Sequence, residues 1–353
     1  MNTPIPIDMN QDKGKAPKAH NAGVDCLRCF LMYFIVVHHV SLYSVLGEYR
    51  FVALAFLISM MAVDGFIGIS GWYGVRFGWK KVLSIGGQII YYAILNYLLS
   101  IVLVHLGYLK CRHIGIGNAW YGICYLALIF MAPLINAGID GLAKSEKKWW
   151  VFGLLFIPLI VDYFSRCIGL GFAVGGFGSH TFITFLYVYL FVRLYRVLHW
   201  SIRREFLILA FVGYVGLFLI LHLMCGAETL MDTVTPWGWY NCPLVILSSF
   251  LMLGLFVNMK VPRWASRICA FLVPSVFSIY LLHDVSSVGK EFLVGKMVSV
   301  VVGLCGSLNA LGSLVLCLFA SALVFMIAAV VDVVLRRLPL LLIRRVIVRS
   351  HGC

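Results

Sequence analysis

Charge is scarce in this chain: 12% of its 353 residues are Asp, Glu, Lys or Arg, and only 14 of those are acidic. A soluble domain carries roughly a quarter charged residues, so a water-facing globular surface is excluded. Long polar stretches are missing too, which leaves no room for a soluble domain between the apolar runs. The glycines form neither a GxGxxG following a strand nor a GxxxxGK[ST] loop, so the common phosphate cradles are absent. No internal repeat of the kind that marks many transporters is evident. The eleven cysteines show no framework. Cys124, Cys269, Cys305 and Cys317 sit in apolar stretches as small hydrophobes. Cys26 and Cys29 form a CxxC without the second ligand pair of a zinc site, and no metal is expected. Cys111, Cys167, Cys225 and Cys242 fall in or near loops where an occasional disulfide is permitted, although spacing alone gives no pairing.

What is present is hydrophobic: 62% of residues, with 25 Phe, 17 Tyr and 9 Trp. At about 17 to 25 residues per span, the expected fold is an all-α, polytopic membrane helix bundle of about ten transmembrane helices. They are placed near 26–46, 51–73, 82–106, 118–139, 149–165, 181–199, 206–225, 241–259, 267–284 and 308–334. The fifth is short and contains Pro158 and Asp162. Val298 to Cys305 is too short to span, and either extends a neighbouring helix or dips into the membrane.

The net charge of +14 would suggest nucleic acid on a soluble surface, but here the basic residues lie in clusters between spans. With the N-terminus inside, 22 of 28 fall on the cytoplasmic side, leaving Arg50, Lys110, Arg112, Arg166, Lys290 and Lys296 outside. That asymmetry places both termini in the cytoplasm. Residues 1–22 read as a disordered cytoplasmic tail without a cleavage site, 23–337 as the membrane domain, and 338–353 as a basic amphipathic tail along the inner membrane surface.

Within this apolar background Arg28 and His39 stand out. Eleven helical steps bring them to within roughly 20° of one face and about 16 Å apart along the axis. A cation at one membrane edge and an imidazole near mid-depth are costly unless they face a polar interior, and so mark a functional site. Neutral imidazole suits proton abstraction from a hydroxyl, while the guanidinium fork suits phosphate. Asp25 either orients Arg28 or caps the span. Asp64, among Gly65, Gly68, Ser70 and Gly71, needs a partner, for which Arg28 is the candidate. Tyr280 to Asp284 closes a span, with His283 either an acceptor-side group or an interfacial histidine. His38, Asn136 with Pro133, and His180 after the glycine-rich loop at 169–178 are weaker candidates.

These residues carry a resemblance. Gly23 through Arg28 to His38-His39 resembles the opening of membrane acyltransferase family 3, whose hallmark Arg, ten residues, His falls on Arg28 and His39. Asp64 through Gly71 resembles its second block, with the usual aromatic pair loosened to Gly65-Phe66-Ile67-Gly68. Trp120 and Tyr125 with Pro133 to Asn136, Tyr187 to Arg196, Tyr240 to Pro243 and Tyr280 to His283 follow in order. The resemblance covers roughly residues 22–337. Members often carry Arg-x-x-Arg at the entrance of span three; this chain has Arg76, Lys80 and Lys81 there.

The resemblance implies an O-acyltransferase of a bacterial inner membrane. It would move a short acyl group, foremost acetyl from acetyl-coenzyme A, to a hydroxyl of a cell-surface or lipid-linked glycan such as an exopolysaccharide. His39, Arg28 and Asp64 would be catalytic. Arg28, Arg76, Lys80 and Lys81 would hold the donor, and His283, Tyr280 and His180 would face the acceptor. The partners would be the bilayer and the glycan, not nucleic acid; the oligomeric state is not readable. The alternatives are a transporter or flippase for a lipid-linked glycan and a non-enzymatic membrane protein.

Overall fold

The computed structural model describes residues 21–48, 50–110, 119–145, 153, 157, 160, 161, 163, 164, 181–199, 202–224, 240–305 and 309–343. His180, the glycine-rich loop, the two tails' outer parts and most of the fifth expected span lie outside these. The described chain is all helical. In order come α1 (Ala22–Tyr43), α2 (Arg50–Ser59), α3 (Met61–Tyr73), α4 (Trp79–His105), α5 (Trp120–Ala143), α6 (Phe182–Val197), α7 (Arg204–Met224), α8 (Pro243–Val257), α9 (Arg263–Leu272), α10 (Val276–His283), α11 (Met297–Cys305) and α12 (Ala310–Asp332).

Among the described residues six helical runs are long and apolar enough to cross a membrane: 22–43, 51–73, 79–105, 120–143, 263–283 and 310–343; Pro243–Val257 is apolar but shorter. The protein is therefore an all-α, polytopic membrane protein. Its surface is inverted relative to a soluble bundle. Leu83 is 71% exposed, Leu134 74% and Leu209 69%, a lipid-facing coat that in water would be an aggregation patch. Polar groups turn inward and satisfy themselves locally. Buried Ser248, Ser249 and Ser321 each donate to a backbone carbonyl three or four residues earlier, at 2.7–2.8 Å.

Local chemistry sets the helix ends. The Asn21 side chain caps α1 by accepting from the Val24 amide at 3.1 Å and donates to the Val257 carbonyl at 3.0 Å, tying the start of α1 to the end of α8. Ser44 leaves the helical region. The first helix thus starts and stops earlier than 26–46, and His39 lies one turn from its far end. The expected second span, 51–73, is one apolar helical run, with a single turn residue, Met60, between α2 and α3. The expected short stretch at 298–305 forms α11, entered through a π-helical segment, Val288–Lys296. A second wide turn, Val333–Arg337, carries α12 on to 343 without a stop.

Close helix approach depends on small residues. A Cβ on Gly71 of α3 would stand 2.7 Å from the Tyr189 carbonyl oxygen of α6, so this crossing requires glycine. Interhelical hydrogen bonds add to the packing: Tyr33 donates to the Leu318 carbonyl of α12 at 2.9 Å, and Asn96 of α4 to the Leu281 carbonyl of α10 at 3.0 Å.

Candidate active site

One cavity of about 260 Å³ touches both Arg28 and His39. It lies among α1, α3, α4, α5 and α10, with Arg28 at one end and His39 and Asp284 at the other. Met32, Ile35, Phe66, Trp120, Tyr121 and Tyr280 form apolar and aromatic walls, interrupted by Ser70 and Gln88. Helical spacing explains the long wall. Arg28, Met32, Ile35 and His39 recur at steps of four, three and four, a single stripe of α1.

At the Arg28 end, Nη1 donates to Asp25 Oδ1 at 2.7 Å. The partner is thus the acid one turn earlier on the same helix, not Asp64. Periodicity gives the face of a residue but not the distance to another helix, and the i, i+3 acid is always in reach. Asp64 is fully buried, does not line the cavity, and has no hydrogen-bond partner for either carboxylate oxygen among the described residues.

At the other end His39 is set in a chain of contacts. Its Nδ1 is 2.9 Å from His283 Nε2, and His283 Nδ1 is 2.6 Å from the Ile279 carbonyl oxygen. A carbonyl only accepts, so His283 Nδ1 carries a proton; in neutral His283 Nε2 then accepts, and His39 Nδ1 donates to it. The lone pair of neutral His39 is left on Nε2, which lies 3.4 Å from Asp284 Oδ1. Tyr43 stacks on the His39 ring with centroids 5.6 Å apart and donates to Asp284 at 3.5 Å. Lys290 Nζ completes the group 3.4 Å from the same carboxylate. Burial disfavours the Lys290 ammonium, but Asp284 and the Tyr43 hydroxyl outweigh it and hold its pKa above the ordinary lysine value.

The other expected residues are placed differently. Tyr280 lines the cavity, whereas His283 stands behind His39. His38 turns aside and stacks on Phe56, centroids 4.4 Å apart. Asn136 donates to the Val75 carbonyl at 2.7 Å and so clamps a turn. Arg76, Lys80 and Lys81 are exposed and do not line the cavity. Lys81 nevertheless shares the α4 face of Ile85 and Gln88, which do, and so stands one turn outside it. Gln88, Tyr43 and Lys290 were not singled out from the sequence. The lysine's only signal there is its position on the sparsely charged side. Among the described residues no group of three or more His, Cys, Asp or Glu is arranged to hold a metal ion.

One cavity among the helices thus has a buried histidine pair at one end and a cation at the other. The family profile described as the acyltransferase domain matches residues 21–333, and the chain belongs to that family, membrane acyltransferase family 3. It is an acyltransferase. No curated protein and no solved structure matches it.

Proposed function

We propose that the protein transfers an acetyl group from acetyl-coenzyme A to a hydroxyl of a cell-surface or lipid-linked glycan, such as an exopolysaccharide, in a bacterial inner membrane. The observation that carries this reading is the shared cavity of Arg28 and His39. In this reading the chain crosses the membrane about ten times with both termini in the cytoplasm, and the Arg28 end opens to that side. Arg28 meets donor phosphate, and the exposed Arg76, Lys80 and Lys81 attract it electrostatically. His39 Nε2 accepts the proton of the acceptor hydroxyl as its oxygen attacks the thioester carbonyl. The carbon–sulfur bond then breaks, and the thiolate leaves with that proton. Asp284 lies where it stabilises the imidazolium formed in between. Tyr280 and Gln88 flank the reacting groups, and His283 positions His39 without touching substrate. Asp64 is given no step, since it reaches neither Arg28 nor His39.

The test uses purified full-length protein in nanodiscs with labelled acetyl-coenzyme A, alongside mass spectrometry of surface glycans from cells with and without the active protein. His39→Gln is expected to lower acetyl transfer by roughly 100-fold or more while the protein stays folded. Full transfer by a folded His39→Gln protein would overturn the mechanism, and an intact thioester with wild type would overturn the reaction.

A further inference from the structure

Outside the cavity, α3 and α6 end beside each other in a cationic shelf that the proposed reaction has not used. Arg193 and Arg196 are one turn apart at the end of α6. The Arg196 guanidinium carbon lies 4.6 Å above the Trp72 ring centroid. Arg193 lies flat under the turn that follows α3. There Gly74 has φ +71°, and a Cβ on it would stand 3.0 Å from Arg193 Cζ. Glycine thus supplies both the backbone conformation and the room for the guanidinium. The turn is held from behind: the Val75 amide donates to the Tyr189 hydroxyl at 3.1 Å, which donates to Asn136 Oδ1 at 3.1 Å, and Asn136 donates back to Val75.

Neither arginine has an ion pair among the described residues. Arg193 Nε is buried with no hydrogen-bond partner among them. Most ion-paired or buried guanidinium groups have an acceptor, because leaving one unmet is costly. Asp25, the acid nearest Arg28, is already engaged at 2.7 Å. Tyr73, the last residue of α3, lies within electrostatic reach of both Arg28 and Arg196.

We propose that Arg193 and Arg196 are a phosphate-binding site that takes the diphosphate of the acyl donor's nucleotide carrier. This rests on the reading of acyl-coenzyme A as donor. Two guanidinium forks one turn apart on α6 suit the paired oxyanions of a diphosphate, and lysine, a point charge, would not replace them. The same chemistry would also hold the phosphate of an anionic lipid headgroup, so the experiment separates the two.

The probe is coenzyme A, titrated calorimetrically into full-length protein in nanodiscs of phosphatidylcholine, with and without phosphatidylglycerol. Steady-state kinetics follow with acetyl-coenzyme A and with S-acetylpantetheine, which lacks the diphosphate and nucleotide. The Arg193→Gln/Arg196→Gln variant should bind coenzyme A at least tenfold more weakly in both lipids. Its KM for acetyl-coenzyme A should rise similarly, with kcat and S-acetylpantetheine turnover within twofold of wild type. Arg193→Lys/Arg196→Lys, which keeps charge and bulk should the first variant misfold, should fall between. Unchanged coenzyme A affinity overturns the proposal. So does an effect seen only with phosphatidylglycerol, which assigns the arginines to lipid, or an equal loss with S-acetylpantetheine, which makes their role structural. Wild type that binds coenzyme A through these arginines yet transfers no acetyl group leaves the site standing and overturns the reaction instead.

Discussion

His39 and His283, 244 positions apart in the chain, share a 2.9 Å contact between Nδ1 of the first and Nε2 of the second. With the Ile279 carbonyl behind it, this contact fixes which nitrogen of His39 stays basic. His283→Ala removes the acceptor and frees the ring to adopt the other tautomer. Its kcat is expected to fall roughly 10- to 1,000-fold, less than for His39→Gln, with the donor KM unchanged. A changed KM with unchanged kcat would show that His283 binds donor instead.

The α3–α6 crossing gives a stability prediction. Gly71→Ala places a Cβ 2.7 Å from the Tyr189 carbonyl oxygen, whereas one on Gly86 meets nothing within 4 Å. Gly71→Ala should destabilise the bundle by about 1 to 3 kcal/mol. Gly86→Ala should be neutral or stabilising by up to about 1 kcal/mol. Thermal unfolding in detergent micelles measures both.

Lys290 and Asp284 predict a flat pH response. The Lys290 pKa is raised, so the folded protein holds this proton more tightly than the unfolded chain does. The resulting stabilisation is complete below the ordinary lysine value and is lost as pH rises through the folded one. Lys290→Met should lower stability by a constant amount, on the order of 1 kcal/mol, from pH 6 to 9. The gap should narrow only in more alkaline solution, as unfolding at stepped pH would show. A gap that changes between pH 6 and 8 would mean another group is responsible.

Helix adjacency can be checked chemically. Cys26 Sγ of α1 lies 3.1 Å from Cys269 Sγ of α9, so a small rotation suffices to reach disulfide geometry. A mild thiol oxidant should join the peptides carrying these residues, and Cys26→Ser should abolish that product in mass spectra of digests.

The membrane fold was legible because its signal is local: apolar runs of spanning length, with basic clusters between them. Arg28 and His39 were legible for the same reason, since one helix carries both. What escaped is what depends on contacts between helices. Nothing along the chain says that His283 faces His39 or that Lys290 returns to Asp284 through a π-helical segment, whereas Asp25 as the orienting partner of Arg28 was one of two readings of the sequence, because its i, i+3 spacing is local. The turn at Met60 was equally silent, because hydropathy runs unbroken across it.

The stripe from Arg28 to His39 also acts as a ruler. Eleven residues of helix set the ends of the cavity about 16 Å apart, so with donor phosphate held at Arg28, as proposed, an acyl group reaches the basic nitrogen only on an arm of about that length. Acetyl phosphate, whose acyl carbon and phosphorus share one oxygen, is too short to touch both ends at once. A donor with its thioester on a long flexible arm spans them. Selection among donors would then be made by reach, before any bond is broken.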